Sequence, residues 1–259
     1  MTEHATPRIV HVALFTRNPR DLASFYRDVF DMKIVHIRNA VQLWDGRTLL
    51  ALNPWRGAGE ERLRIDEVGE PQAKGFDHFG FQIPDVEAAK NHLRKNYPAC
   101  EISQRPAGRT FTEWRAHDPE GNRIDLSEVG YKPVSEGELQ SLDVQVPSQI
   151  NRIVIGGENI ASLSEFYQRA FDMKLAKQTS EKSLLTDGAT ELQLIGCDSA
   201  SAIGFQCLGF RLFDQNRMLE SARRAGITLS RTENRENASA EFLLRDPDGN
   251  RLLLFRDDA

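Results

Sequence analysis

Phe25-Tyr26-Arg27-Asp28-Val29-Phe30-Asp31-Met32-Lys33 recurs as Phe166-Tyr167-Gln168-Arg169-Ala170-Phe171-Asp172-Met173-Lys174. Further along, Asp118-Pro119-Glu120-Gly121-Asn122-Arg123 recurs as Asp246-Pro247-Asp248-Gly249-Asn250-Arg251. Two matches in the same order and at similar separation argue for a duplicated domain. A chain of 259 residues has room for two domains. They are placed at residues 1–131 and 149–259, with 132–148 as the linker, because Gly130 to Gln149 carries Pro133, Pro147 and Gly137 among polar residues.

Outward from the repeat, each copy shows the same coarse pattern. Arg8 to Phe15 is apolar and rich in β-branched residues, which predicts a strand. Asn18-Pro19 opens a helix whose apolar positions Leu22, Phe25, Tyr26, Val29 and Phe30 form one buried stripe. Leu163, Phe166, Tyr167, Ala170 and Phe171 repeat those offsets. Strands are expected at Lys33–Arg38, Val41–Trp44 and Thr48–Leu52, with Asp45-Gly46 turning between the last two. The order then restarts with a strand at Phe76–Ile83, a helix at Asp85–Lys95, and strands at Glu101–Gln104, Thr110–Ala116 and Arg123–Val129. Each domain is thus two strand–helix–three-strand modules. The charged Trp55–Lys74 segment is read as a connector between the first two.

Composition narrows the function. With 40% hydrophobic and 27% charged residues the chain can bury a core. A net charge of −5, from 33 basic and 38 acidic residues, gives no general attraction to nucleic acid or to an anionic membrane. No apolar run approaches the roughly 20 residues that span a bilayer, and Met1 to Pro7 shows no secretory signal. Cys100, Cys197 and Cys207 are odd in number and widely spaced, as expected of reduced thiols in a cytoplasm.

All six histidines, His4, His11, His36, His78, His92 and His117, lie in the first copy. His4 falls in a terminal tail, His92 on a charged helix that would face solvent, and His36 and His117 at strand ends without partners at useful spacing. His11 and His78 differ, because each sits mid-strand at the start of its own module. Asp125 joins them from the closing strand Ile124-Asp125-Leu126, where a carboxylate is costly unless paired or metal-bound. Aligning the repeats puts Arg152 at His11, Cys207 at His78 and Leu253 at Asp125, so folding alone does not require the three. Two imidazoles and one carboxylate suit a divalent metal with positions left open for substrate. Glu128 competes as the carboxylate but has the opposite strand parity. Arg115 is the candidate substrate-binding residue, as a clamp for an anionic substrate, against the plainer alternative of pairing with Glu113. Trp44, Trp55 and Trp114 either line a pocket or belong to the core.

At these residues the sequence resembles the vicinal oxygen chelate superfamily, which includes glyoxalase I, the extradiol ring-cleaving dioxygenases and the bleomycin- and fosfomycin-resistance proteins. The resembling stretches are Ile9-Val10-His11-Val12-Ala13-Leu14, the Phe-Tyr helix, Asp77-His78-Phe79-Gly80-Phe81 and Asp118 to Leu126. The resemblance implies an α+β fold of two tandem domains, each pairing two βαβββ modules into a curled mixed sheet around a cup-shaped metal site. It implies His11, His78 and Asp125 as the ligands, although glutamate is usual at the last position. Glyoxalase-type members add an acidic ligand where this chain has Ala51. The extradiol enzymes use three ligands and tandem domains, but their metal domain is usually the second. They also usually carry a tyrosine where this chain has Arg115, with a catalytic histidine upstream that Arg109 to Trp114 lacks.

Three functions follow as expectations. The first is an Fe(II)-dependent extradiol-type dioxygenase acting on an aromatic diol or related enolisable small molecule, with Mn, Zn and Ni as the other metals. The second is a glyoxalase-like metal-dependent lyase or isomerase, and the third is a non-catalytic small-molecule-binding protein. Keeping all three ligands in one copy favours pairing module 1 with module 2, the alternative being module exchange within a homodimer.

Overall fold

The computed structural model describes residues 6–37, 39–55, 75–106, 111–130, 139, 142, 144–198, 203–233 and 240–256. The first half runs β1 (Arg8–Thr16), α1 (Pro19–Phe30), β2 (Lys33–Ile37), β3 (Val41–Trp44), β4 (Leu49–Pro54), β5 (Gly75–Ile83), α2 (Val86–Asn96), β6 (Ile102–Gln104), β7 (Trp114–His117) and β8 (Arg123–Glu128). The second half runs β9 (Ser148–Gly157), α3 (Ile160–Phe171), β10 (Lys174–Gln178), β11 (Lys182–Thr186), β12 (Glu191–Gly196), β13 (Gly204–Leu212), α4 (Gln215–Arg224), β14 (Ser230–Glu233), β15 (Ala240–Arg245) and β16 (Arg251–Phe255). His4, Arg109, Thr110, all of the Trp55–Lys74 connector but Trp55, and most of the expected linker lie outside the described residues. None of the described helices is long and apolar enough to cross a membrane.

Local chemistry accounts for the helix in the repeat. Asn18 caps α1 by accepting from the Asp21 amide, and Pro19 opens the first turn, where its missing N–H costs nothing. The helix stops at Asp31, whose φ of 54° is left-handed; Asp172 ends α3 in the same way at φ 51°. Aspartate tolerates that conformation better than most side chains, which explains the repeated Asp-Met-Lys. The predicted stripe Leu22, Phe25, Tyr26, Val29 and Phe30 is buried.

The strands form two eight-stranded mixed sheets with the same plan. Their orders are β2-β3-β4-β1-β5-β8-β7-β6 and β10-β11-β12-β9-β13-β16-β15-β14. Modules 1 and 2 therefore share one sheet, with β5 running parallel to β8 while β6–β7 and β7–β8 are antiparallel. The expected Thr110–Ala116 strand begins only at Trp114, because Phe111 sits at a left-handed φ of 53° that breaks the extended chain.

Backbone proximity groups the chain into two compact units, residues 1–11, 78–136 and 153–206 in one, and 12–77, 137–152 and 207–259 in the other. Within the first unit the Tyr167 hydroxyl donates to Asp118 Oδ2 at 2.8 Å, Phe81 stacks on Phe171 at 4.3 Å, and Asp187 accepts from the Ile9 amide at 2.7 Å. Within the second unit the Tyr26 hydroxyl donates to Asp246 Oδ2 at 3.0 Å, Phe30 stacks on Phe210 at 4.0 Å, and Asp45 accepts from the Ile150 amide at 2.7 Å. The two repeated motifs are thus the two ends of one buried bond, made twice.

Burial outweighs the hydrogen bonds to Asn122 and Tyr167 and raises the Asp118 carboxyl above its usual range; Asp246 is raised for the same reason. Tyr26→Phe and Tyr167→Phe should each lower the unfolding free energy by about 1–3 kcal/mol in urea titrations, with additive effects. A carboxyl whose folded pKa exceeds its unfolded value of about 3.9 contributes stability that is complete below that value and is lost as the pH rises through the folded pKa. Asp118→Asn keeps a neutral group there, so the stability of wild type minus that of the variant should fall as the pH is raised from acid toward neutrality. A flat difference would contradict the burial argument.

Candidate metal centre

Three adjacent strands, β1, β5 and β8, carry His11, His78 and Asp125. In the parallel β5–β8 ladder Gly80 lies beside Asp125 and His78 beside Arg123, so His78 and Asp125 project from the same face one step apart. His11 reaches them because Gly80 has no side chain: a Cβ there would lie 2.0 Å from His11 Cε1 and 2.4 Å from Nδ1. The imidazole rests on bare backbone. Glycine weakens a strand interior, and its recurrence at Gly209 is the sequence signal of a close approach that had gone unread.

The three side chains are buried, with His11 2%, His78 8% and Asp125 1% exposed. His78 Nε2 lies 3.0 Å and His11 Nε2 3.7 Å from Asp125 Oδ2. The rings meet edge-on with centroids 5.5 Å apart, and one ligand atom from each of the three residues lies within 4.8 Å of the others. It is the only such histidine, cysteine and carboxylate group among the described residues. Neither nitrogen of His11 nor Oδ2 of Asp125 has a hydrogen-bond partner. Buried polar atoms are normally satisfied, and with one nitrogen from each histidine and Asp125 Oδ2 close together the cluster fits a metal ion.

Electrostatics favour the ligating forms of His11 and Asp125. Burial lowers the His11 pKa, more than Asp125 raises it, so the imidazole stays neutral. Burial alone would raise Asp125, but the charges of His78 and Arg115 outweigh it and hold the carboxyl well below its usual range. Arg115 faces Asp125 across the β7–β8 ladder and donates from Nε to Oδ1 at 2.6 Å. It does not pair with Glu113, whose Oε2 is buried without a hydrogen-bond partner. Glu128 is exposed, as its parity requires.

The remaining candidates fall elsewhere. His92 is half-buried rather than solvent-facing, with its ring against Tyr97. His117 shares the Arg115 face of β7, and both its ring nitrogens are buried without hydrogen-bond partners. Trp44 is core, Trp114 lies under the Lys90 ammonium at 3.3 Å, and Arg17 covers Trp55. At the equivalent place in the second sheet, Arg152 stacks over Phe255 at 4.1 Å, Cys207 is a buried thiol, and Leu243 faces Leu253.

Two sheets of this plan, one carrying a histidine–histidine–aspartate cluster, match known proteins. The pattern of the Glyoxalase/Bleomycin resistance protein/Dioxygenase superfamily fits residues 8–126 and again 149–254, and the chain belongs to that superfamily. Among solved structures it resembles the 2,3-dioxygenase LapB from Pseudomonas sp. KL28, with a TM-score of 0.69 and 17% identity over 97% of this chain and 92% of that one. The Mn(II)-bound glyoxalase from Novosphingobium aromaticivorans gives a TM-score of 0.71 and 13% identity over 98% and 82%. An extradiol ring-cleaving dioxygenase from B. fuscum gives 0.70 and 12% over 99% and 73%. At these identities the likeness is one of fold. No curated protein matches the sequence.

Gly80→Ala should push the His11 ring off its seat and weaken Mn(II) binding by at least about tenfold in calorimetric titration. Gly209→Ala, whose Cβ would meet Arg152 Cβ at 2.7 Å and Phe255 Cε1 at 3.0 Å, should cost stability and leave Mn(II) binding unchanged. Equal effects on binding would show that His11 is not seated by Gly80.

Proposed function

We propose that the protein is an Fe(II)-dependent, extradiol-type dioxygenase acting on an aromatic diol or a related enolisable small molecule. The observation that carries this reading is the convergence of ligand atoms from His11, His78 and Asp125 within 4.8 Å of one another in a buried place. One imidazole nitrogen from each histidine and one carboxylate oxygen fit a divalent metal, and the three residues would hold it. Bound there, iron would leave adjacent positions open for a chelating substrate and dioxygen.

The surrounding residues set what the site accepts. One carboxylate and one guanidinium cancel, so a divalent ion leaves two positive charges for the substrate to meet. Arg115 adds its charge on the Asp125 side and favours a substrate that binds as an anion. Burial of the three ligands excludes water from that side. Cys100, Cys197 and Cys207 are free thiols, in keeping with a reducing cytoplasm that also keeps iron ferrous.

The protein is reconstituted anaerobically with Fe(II), and oxygen uptake is followed over a panel of catechols. Uptake with at least one of them, abolished in His78→Ala, is expected. Iron-loaded protein that consumes no oxygen with any catechol would defeat the reading. Turnover persisting without air, and with Zn, Ni or Mn in place of iron, would assign a lyase or isomerase. Ligand affinity unchanged by His11→Ala or His78→Ala would assign a binding protein.

A further inference from the structure

Arg115 and Asp125 form an ion pair inside the sheet, with the arginine 4% and the aspartate 1% exposed. Their meeting follows from the ladder, since β7 and β8 place them directly opposite. The guanidinium takes Oδ1 only, at 2.6 Å. Oδ2 is left toward His78 Nε2 at 3.0 Å and His11 Nε2 at 3.7 Å, without a hydrogen-bond partner. A carboxylate held by one oxygen in this way has one oxygen to give.

The second sheet shows that the pair is not a demand of the fold. There the two cross-strand positions are Leu243 and Leu253, and the sheet order is unchanged. Arginine and aspartate are present together in one sheet and absent together from the other. Burying an ion pair is often no better than burying two apolar residues of similar size, so stability alone gives the pair no advantage over two leucines. The arginine stands where the imidazoles stand, and nowhere else in the duplication.

We propose that Arg115 is the positioning residue of the metal centre: by occupying Oδ1 it makes Asp125 a one-oxygen ligand, turned through Oδ2 toward His11 and His78. The proposal rests on the metal-centre reading above. It gives the guanidinium a task in the metal-free protein, where it holds the buried carboxylate ready. Outer partners of this kind alter metal affinity by about 10–100-fold when removed.

The test uses the metal alone. Metal-free wild type, Arg115→Leu and Arg115→Lys are titrated with Mn(II) by calorimetry, and the visible spectra of their Co(II) forms are recorded. Arg115→Leu is expected to bind Mn(II) at least about tenfold more weakly. Its Co(II) spectrum should change in intensity as the freed Oδ1 enters the coordination sphere, and Arg115→Lys should recover most of the affinity. Should the leucine variant not fold, Arg115→Met is read in the same way. In parallel, unfolding of Arg115→Leu, Asp125→Leu and the double variant gives a coupling energy. The double variant, which copies the second sheet, should regain most of the stability the single variants lose.

Mn(II) binding unchanged or tightened in Arg115→Leu, with an unaltered Co(II) spectrum, overturns the proposal and leaves the metal-centre reading standing. A wild type that binds neither metal, with the coupling intact, sinks that reading as well and leaves Arg115 a structural partner of Asp125. Absence of coupling overturns the pairing itself.

Discussion

A carboxylate in the middle of a sheet must be compensated, and Asp125 sets the terms for everything around it. Transferring such a charge out of water costs several kcal/mol even after relaxation. It is met here from two directions. Arg115 meets it across the antiparallel ladder, and His78 and His11 approach from the parallel side and beyond. The first contact is a complete hydrogen bond, whereas on the second side both His11 nitrogens and Asp125 Oδ2 have no hydrogen-bond partner. That difference separates a structural ion pair from a binding site. The arginine satisfies one oxygen fully, and the other lies beside the two histidines, where a shared metal ion would fit.

The duplication supplies an internal control. Both sheets keep the strand order, the Asn-capped helix ending in a left-handed aspartate, and the buried tyrosine–aspartate bond. Both also keep a glycine mid-strand where a neighbouring side chain presses on the backbone, His11 at Gly80 and Arg152 at Gly209. The backbone device therefore does not depend on which side chain is placed on it. On the facing positions the side chains differ, and His11, His78, Arg115 and Asp125 give way to Arg152, Cys207, Leu243 and Leu253. A scaffold that folds with either set frees the first set to be chosen for what it holds.

Much of this was legible in the sequence because it is local or periodic. The apolar stripe of α1, the turn at Asp45-Gly46 and the alternation of the strands depend on neighbours a few residues away, and duplication let each module be read twice. The grouping of His11, His78 and Asp125 was legible for a different reason: the second copy shows Leu253 where the first has Asp125, which removes folding as an explanation. The partner of Asp125 was not. Glu113 and Arg115 share a strand face, which suggested a pair, but residues two apart along a strand are separated by nearly 7 Å, whereas cross-strand partners are nearer 5 Å. Choosing between them needs the register of β7, and Phe111, left-handed at φ 53°, moves the start of that strand past the expected residue.

The tyrosine–aspartate bonds show the same limit at larger scale. Tyr26 and Asp246 are far apart in the chain, as are Asp118 and Tyr167, and nothing in either motif says that one completes the other. Only packing reveals that each bond joins a helix of one half of the chain to a turn of the other half. The consequence reaches the site. Asp118 closes the turn that leads into β8, accepting from the Glu120 and Asn122 amides, and β8 carries Asp125. A hydroxyl from Tyr167, in the half of the chain without the ligands, thus anchors the turn before the strand that carries the carboxylate. The half of the chain without the histidines takes part in placing Asp125.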